Sequence, residues 1–248
     1  MLAVRSLLFN AAYYVNLIVW MVVILPCLVM PRRVFMRIAR LWAGSSLWLL
    51  RVIVGTRVEF RGLEHIAPGG LLVAAKHQSL WETFALLRIL DDPAFVLKRE
   101  LMWIPIFGWY AWKARSIPID RRAGSAALKL MNQRAREEAQ SGRQIIIFPE
   151  GTRRAAGAEP AYKYGIAHLY DRLGVPCVPI ALNSGLYWPR RRFMRWPGTI
   201  VVECLEPIAP GMDRDVFFRV LQERVETASN RLLAEGRREL EEAAATTG

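Results

Sequence analysis

The sequence predicts an α/β fold: a mainly parallel or mixed sheet flanked by helices, with a membrane-anchoring helix or helical hairpin at the N-terminus. Two patterns support this prediction. After residue 55, seven short apolar runs alternate with stretches whose apolar residues recur at helical spacing, an order typical of strands joined by helices. Before them lies a run of 24 residues without a charged side chain, Leu7 to Met30, and about 20 apolar residues suffice to cross a bilayer.

Residues 1–55 are predicted to form the anchor. Four arginines follow the charge-free run within ten residues, whereas one arginine precedes it. The positive-inside rule then places the following domain on the cytoplasmic face of the cell membrane. A second apolar stretch, Leu41 to Gly55, is interrupted by Arg51 and has the character of an interfacial helix. Two arrangements fit, a single span and a monotopic hairpin that does not cross, and a buried core helix is the weaker third.

The chain is both apolar and basic, with 53% hydrophobic residues and a formal net charge of +12. This combination suits either nucleic acid or an anionic membrane surface. Residues 1–60 hold seven arginines and one acidic residue, so half of the net charge flanks the most apolar segment, which favours membrane lipids over nucleic acid. The three cysteines lack C-x-x-C spacing and histidines number three, so we expect a reducing compartment and no metal site.

The segments after the anchor define the main domain, residues 56–235. The predicted strands are Arg57–Arg61, Gly70–Ala75, Ala94–Lys98, Ser116–Ile119, Gln144–Phe148, Val175–Leu182 and Thr199–Leu205. The predicted helices are Leu80–Leu90, Ser125–Gln140, Tyr164–Leu173 and Asp215–Leu233. The charged end of the chain, residues 236–248, is predicted to be a flexible tail.

A histidine and a carboxylate lie five residues apart after the second predicted strand, in Lys76-His77-Gln78-Ser79-Leu80-Trp81-Glu82. A histidine at a strand end is held rigidly beside a crevice, and a carboxylate within reach fixes its tautomer and stabilises the imidazolium. Because positions five apart do not share a helix face, His77 must precede the helix and Glu82 must lie in its first turn. The pair predicts a general base that acts on a substrate hydroxyl.

The same residues also form a capping box. Ser79 and Glu82 have the S-x-x-E spacing, in which the serine caps a helix and the glutamate reaches back to the serine N–H. The two interpretations are compatible, and the local sequence does not decide between them. Ser79 is the nearest hydroxyl to His77, but no G-x-S-x-G motif occurs, which argues against a serine hydrolase.

A turn follows the fifth predicted strand, in Phe148-Pro149-Glu150-Gly151-Thr152-Arg153. Arg153 offers a planar fork of donors that matches phosphate oxygens. Glu150 offers an acceptor for a hydroxyl, or a partner for a cation. The alternative is a surface turn with a solvated ion pair, and the adjacent Arg154 leaves open which guanidinium binds.

Three further segments have mixed character. Lys98-Arg99-Glu100-Leu101 leads to a turn ringed by tryptophans, which suits an anion beside an acyl chain or, alternatively, a solvated run before a packing loop. Asn183-Ser184-Gly185 ends the sixth predicted strand with polar groups at the same edge. The run Trp188 to Trp196 interleaves arginines with aromatic residues, which suits anionic headgroups, an acidic carrier protein or a solvated loop.

Four blocks in order resemble the lysophosphatidic acid acyltransferase (1-acylglycerol-3-phosphate O-acyltransferase) family. They are His77-x4-Glu82, Lys98-x-Glu100-Leu101 through Gly108, Phe148 to Arg153, and Val178-Pro179 onward. The resemblance covers residues 56 to 210. It implies an α/β fold around the His-x4-acid site, a membrane-docking element at the N-terminus, and transfer of a fatty acyl group from a thioester to a lysophospholipid hydroxyl.

By position, the resemblance implies roles for eight residues. His77 would be the base and Glu82 its partner, although the family more often has the shorter aspartate there. The substrate-binding residues would be Lys98, Glu100, Glu150, Gly151, Thr152 and Arg153. The implied donor is acyl-CoA or acyl-carrier protein, the acceptor is the sn-2 hydroxyl of 1-acylglycerol-3-phosphate, and the product is phosphatidic acid, without metal or redox cofactor.

Other functions fit part of the pattern. The same chemistry would serve another lysolipid acceptor, such as an ornithine lipid. A non-catalytic membrane-surface protein that binds anionic lipid accounts for the anchor and the charge, but not for the block from His77 to Glu82. A nucleic-acid module is the poorest fit, because the basic residues form no recognition motif.

Overall fold

We describe the fold from a computed structural model, in which residues 1–120 and 124–247 are described. The α-helices are α1 (Leu2–Ile24), α2 (Arg32–Leu49), α3 (Glu82–Ala85), α4 (Phe107–Lys113), α5 (Gly124–Gln140), α6 (Gly165–Leu173), α7 (Ser184–Tyr187) and α8 (Arg214–Thr247). The strands are β1 (Thr56–Arg61), β2 (Leu71–Ala75), β3 (Pro93–Lys98), β4 (Ile117–Ile119), β5 (Gln144–Ile147), β6 (Cys177–Leu182) and β7 (Gly198–Cys204).

The seven strands form one mixed sheet in the order β1-β7-β6-β2-β5-β3-β4. Five consecutive strands in this order, β6, β2, β5, β3 and β4, are parallel to one another. Strand β7 runs antiparallel to β6, and β1 runs parallel to β7. The α/β prediction with a mainly parallel or mixed sheet is therefore confirmed. The carboxyl ends of the five parallel strands meet at one edge, where open α/β sheets bind their ligands.

The side chains of β2 alternate between two cores. Leu71, Val73 and Ala75 pack in the core beneath α1, α2 and α3. Leu72 and Ala74 pack in the opposite core with residues of α5, α6 and α8. Because successive side chains of a strand point to opposite faces, the sheet has helices on both faces, and its central strands carry near-continuous apolar sequence, as parallel strands do.

The predicted strands agree with the observed strands to within two residues at each end. The predicted helix Leu80–Leu90 differs: α3 covers Glu82–Ala85, and a 3₁₀ turn, Leu86–Arg88, continues it. Short α4 and α7 did not show in the sequence, because four to seven residues carry too little periodicity.

The last helix, α8, continues through residues predicted to be a flexible tail. Leu240 packs against the core, and Glu239 accepts hydrogen bonds from the Tyr187 hydroxyl over 2.6 Å and from the Thr199 backbone N–H over 2.8 Å. These long-range contacts attach the helix to the sheet beyond residue 235.

The N-terminal segment forms a helical hairpin. Helix α1 runs into a 3₁₀ turn, Leu25–Leu28, and α2 is followed by a π-helical turn, Leu50–Val54. The Asn16 amide of α1 donates to the Ser46 hydroxyl of α2 over 3.1 Å. In the described chain, the stretch Leu2–Leu28 is the one helix long and apolar enough to cross a membrane.

Candidate functional site

Three of the four sequence blocks meet at the carboxyl edge of the sheet. The segment with His77 follows β2, the turn with Glu150 and Arg153 follows β5, and Ser184 follows β6. Strands β5 and β6 are the two neighbours of β2. The sheet order therefore places these segments side by side around His77.

His77 and Glu82 are in direct contact. The Nδ1 atom of His77 lies 3.1 Å from Oε1 of Glu82, and the imidazole stacks on Phe148, with ring centroids 4.0 Å apart. A carboxylate at Nδ1 selects the tautomer with the proton on that nitrogen, which leaves the Nε2 lone pair as the proton acceptor. The imidazole is largely buried, with 13% of its side chain exposed, and Glu82 is fully buried.

The Glu82 carboxylate is held from two directions. Its Oε1 accepts the backbone N–H groups of Gln78 and Ser79, the latter over 2.7 Å, so the predicted capping contact exists together with the histidine contact. Its Oε2 accepts the hydroxyl of Ser184, from the end of β6, over 2.9 Å. Glutamate, one methylene longer than aspartate, reaches His77 from the first residue of α3.

The turn after β5 is attached to the histidine loop. The Arg154 backbone N–H donates to the His77 carbonyl over 2.8 Å, and the Gly151 N–H donates to the Phe148 carbonyl over 2.9 Å. Gly151 adopts a φ of +67°, a conformation that glycine tolerates at little cost. Thr152 is exposed.

Glu150 is part of a buried ionic network rather than of an open surface. Its Oε1 lies 3.1 Å from Nζ of Lys76, which also contacts Glu226 over 2.6 Å. The Tyr162 hydroxyl donates to the same oxygen of Glu226 over 2.9 Å. The other oxygen of Glu150 accepts the His77 backbone N–H over 3.4 Å. Burial raises the pKa of Glu150, and the Lys76 ammonium opposes that rise.

Lys98 and Glu100 lie at the end of β3, two strands from β2. The two side chains form an ion pair of 3.0 Å, and half of the Lys98 side chain is exposed. Arg99 pairs with Asp120 over 3.0 Å and lies 5.7 Å above the Trp103 ring. This block therefore lies at the same carboxyl edge of the sheet as His77, and Lys98 and Arg99 each form an ion pair with an acidic side chain.

Several known proteins are similar to this chain in sequence. A protein-family model described as "Acyltransferase" matches residues 57–183. A 1-acyl-sn-glycerol-3-phosphate acyltransferase of Pseudomonas aeruginosa is 38% identical over 204 residues, which cover 81% of this chain and 79% of that protein. The chain belongs to this acyltransferase family. The alpha form of the enzyme from Mus musculus is 32% identical over 208 residues, covering 81% of this chain and 72% of the mouse protein.

A solved structure has the same fold as this acyltransferase. The 1-acyl-sn-glycerophosphate (LPA) acyltransferase PlsC from Thermotoga maritima superposes with a TM-score of 0.79 at 23% identity. The match covers 94% of this chain and 98% of that structure. The likeness spans the helical hairpin as well as the sheet.

Several residues that shape the site of the acyltransferase were not assigned roles from the sequence. Ser184 contacts the carboxylate of Glu82, and the amide oxygen of Gln78 accepts the Gly185 N–H over 2.9 Å. A Cβ added to Gly185 would lie 3.0 Å from Gln78, so glycine allows this close approach. Lys76 and Glu226, which form the buried ionic network with Glu150, were not assigned roles either. The available signal was position, since Lys76 directly follows one predicted strand and Ser184 lies two residues after the end of another.

Proposed function

We propose that this chain transfers a fatty acyl group from acyl-CoA or acyl-carrier protein to the sn-2 hydroxyl of 1-acylglycerol-3-phosphate, giving phosphatidic acid. The membership in the acyltransferase family and the names of its relatives support the reaction. The contact of His77 Nδ1 with Glu82, at the carboxyl edge of the sheet, is the observation that supports the mechanism.

His77 acts as a general base in one direct step. Its Nε2 takes the proton of the acceptor hydroxyl while that oxygen attacks the thioester carbonyl carbon. An ester C–O bond forms and the C–S bond breaks. The thiolate leaves with the electron pair of the C–S bond and takes up the proton from the imidazolium. Each turnover therefore yields one ester and one free thiol.

Glu82 orients the imidazole and offsets the positive charge that it acquires. Ion pairing in a site closed to water is stronger than in bulk solvent, and Glu82 is fully buried. Its three other donors, the N–H groups of Gln78 and Ser79 and the hydroxyl of Ser184, fix the carboxylate in place. The base is thus preorganised before substrate arrives.

The N-terminal hairpin supports a monotopic placement at the membrane. Ser6 of α1 accepts the Arg195 N–H over 2.9 Å, and Met21 accepts the Tyr110 hydroxyl. These contacts lie 15 residues apart, or about 22 Å along a helix, so most of α1 rests on the catalytic domain. A helix that crossed a hydrocarbon core of about 30 Å would have to leave that surface.

The outer face of α1 and its neighbourhood are apolar. Exposed apolar side chains on α1 include Val4, Leu7, Leu8, Val15, Ile18, Val19 and Val22. Next to the end of α1, the segment around α4 exposes Trp103, Ile104, Phe107, Trp109 and Trp112. Exposed apolar patches of this extent mark membrane contact. The hairpin and α4 would lie in one leaflet, with the active site at its surface.

The experiment is a turnover assay with product analysis. Purified protein receives acyl-CoA and 1-acylglycerol-3-phosphate in mixed micelles, thiol release is followed spectroscopically, and the lipid product is identified by mass spectrometry. We expect His77→Ala to lose roughly 10²–10⁴-fold in kcat, while His168→Ala, a matched change on α6, keeps wild-type turnover. Wild-type turnover in a folded His77→Ala protein contradicts the mechanism. A rate of thiol release that is the same with and without 1-acylglycerol-3-phosphate contradicts the function.

A further inference from the structure

A cavity of about 240 Å³ lies beside the catalytic histidine loop. Four parts of the chain form it: the first half of α1, the loop between β2 and α3, the turn after β5, and the loop between α7 and β7. Leu80, three residues after His77, closes one side, and Tyr13 and Asn10 of α1 form the opposite wall. The cavity therefore lies between the membrane-facing hairpin and the reacting centre.

Positive charge dominates the lining of this cavity. Arg153 enters from the turn after β5, and Arg190, Arg191 and Arg192 enter from the loop after α7. The ion pairs formed within the described residues involve none of these four guanidinium groups. Burial lowers the pKa of Arg153, and the charges of Arg190 and Arg191 lower it further. A cavity that is lined by several arginines and by no carboxylate favours the binding of an anion.

The loop after α7 is held against the cavity by named contacts. Arg190 Nη1 donates to the Arg153 carbonyl over 2.8 Å, and the buried Nε of Arg190 has no hydrogen-bond partner within the described residues. The Arg195 guanidinium lies 4.8 Å above the Trp188 ring and donates to the Met194 carbonyl over 2.9 Å. Asn10 of α1 donates to the Phe193 carbonyl over 3.0 Å. The arginines are therefore presented by a fixed loop.

The cavity is close to the acyl-transfer site. Arg154, the neighbour of Arg153, donates its backbone N–H to the His77 carbonyl over 2.8 Å. The Glu82 carboxylate is close enough to oppose, in part, the lowering of the Arg153 pKa by burial and by Arg190. An anion bound by Arg153 is thus adjacent to the His77–Glu82 pair.

We propose that Arg190 and Arg191 complete, with Arg153, the binding site for the phosphomonoester group of the acceptor lipid, and that they select this group over phosphodiester headgroups. The inference rests on the proposed function, which supplies the acceptor. In 1-acylglycerol-3-phosphate, the sn-2 hydroxyl and the phosphate are on neighbouring carbons, so the base and the anion site must also be neighbours. The sequence pattern links Arg153 to the acceptor phosphate, whereas it links the run that holds the other two arginines, Trp188 to Trp196, only to anionic headgroups in general.

The charge of the headgroup explains the selection. A phosphomonoester carries about −1.5 to −2 at pH 7 and three terminal oxygens, which matches several guanidinium forks. A phosphodiester carries one negative charge and two terminal oxygens, so it can occupy fewer of these guanidinium forks. The 3′-phosphate of CoA is also a phosphomonoester, so the donor is the competing source of the same chemistry.

The test measures acceptor and donor kinetics separately in mixed micelles. Arg191→Gln and Arg190→Gln are compared with wild type, using 1-acylglycerol-3-phosphate and the phosphodiester 1-acylglycerophosphoglycerol as competing acceptors. We expect each variant to raise the KM for 1-acylglycerol-3-phosphate by about tenfold, as the loss of one charge-assisted hydrogen bond does. The KM for acyl-CoA stays unchanged, and the preference for the phosphomonoester falls by a similar factor. Arg134→Gln, on exposed α5 at the other face of the sheet, is the charge-matched control.

Each outcome has one meaning. Unchanged acceptor KM and preference in Arg191→Gln overturn the arginine site while the proposed function stands, provided that wild type makes phosphatidic acid. A raised acyl-CoA KM with an unchanged acceptor KM overturns it as well, and assigns the cavity to the donor. If Arg190→Gln does not fold, because its bond to the Arg153 carbonyl is lost, the exposed Arg191 decides the question. Wild type without phosphatidic acid formation refutes the proposed function itself.

Discussion

The Ser184 hydroxyl donates to Glu82 Oε2 over 2.9 Å, although the two residues lie 102 positions apart in the chain. The contact joins the end of β6 to the first turn of α3. It leaves Glu82 Oε1 to His77 and to the backbone N–H groups of Gln78 and Ser79. Ser184 therefore sets the direction in which the carboxylate faces the imidazole.

Ser184→Ala is expected to lower kcat by roughly tenfold, which corresponds to one hydrogen bond to a charged group. The KM values for both substrates should stay near wild type, because Ser184 acts through Glu82 and not on substrate. Steady-state kinetics with each substrate varied in turn separates these quantities. Ser229→Ala is the matched control: Ser229 is buried in α8, and its hydroxyl has no hydrogen-bond partner within the described residues. Equal kcat in the two variants argues against the positioning role.

Local patterns were sufficient to predict the strands and the His77–Glu82 contact. The strands of the sheet are short apolar runs between turn residues, so their period and length are visible in the sequence. The need for His77 to precede the helix, with Glu82 in the first turn, followed from the geometry of a helix. Both features depend on neighbours within about ten residues.

The remaining contacts depend on how distant segments pack. Lys76 reaches Glu226 across 150 positions, and the position of Arg190 beside Arg153 depends on the order of β6, β2 and β5. The sequence does not give strand order, because period and composition are alike in all central strands. For the same reason, the sequence leaves Glu150 either as an acceptor for a hydroxyl or as a partner for a cation, and only the packing shows that the cation is Lys76.

Glu150→Gln is expected to lower kcat by roughly tenfold with little change in acceptor KM. The amide loses the ion pair with Lys76 and weakens the hold on the His77 backbone, but it removes no exposed group. Kinetics with varied 1-acylglycerol-3-phosphate checks this expectation. A large rise in acceptor KM at constant kcat would instead support direct substrate binding by Glu150.

Lys76→Met tests the buried network by thermal unfolding in detergent. Removing the ammonium leaves the Glu150 and Glu226 carboxylates without their shared cation, and breaking a buried pair in this way costs about 3–5 kcal/mol. Adding Glu150→Gln to the Lys76→Met variant removes one of the two charges, so part of the lost stability should return. Strictly additive destabilisation in the double variant would mean that the two residues do not interact.

The positive-inside rule predicts that the catalytic domain lies on the cytoplasmic side. Because α1 lies along that domain, the N-terminus is expected on the same side. A single span would place it on the opposite side. A protease-sensitive tag fused before Met1 distinguishes the two in right-side-out membrane vesicles. We expect the tag to resist protease until the vesicles are opened by detergent, as a control tag after Gly248 should. Cleavage of the N-terminal tag in closed vesicles, with the C-terminal tag protected, would establish a span.

Asp92 connects the hairpin to the sheet and gives it a defined dependence on pH. Its carboxylate pairs with Arg32, at the start of α2, and lies 3.2 Å from the buried Arg143. Burial opposes ionisation, but the two guanidinium groups together hold the pKa of Asp92 below its usual value. A lowered folded-state pKa means that the stabilisation is complete above the unfolded-state pKa of about 4. It is lost as the pH falls through the folded-state pKa.

Asp92→Asn should therefore lower the free energy of unfolding by roughly 1.5–3 kcal/mol at pH 7, as expected for a hydrogen-bonded charge. The difference from wild type should stay constant between about pH 7 and pH 5 and shrink below about pH 4. Thermal unfolding across this range in a fixed detergent measures the difference. Asp91, one residue away, has an exposed carboxylate, so Asp91→Asn should have the same free energy of unfolding as wild type at every pH. A difference that grows as the pH falls would have the wrong sign for an ionised Asp92, and would show that the hairpin is held without this charge.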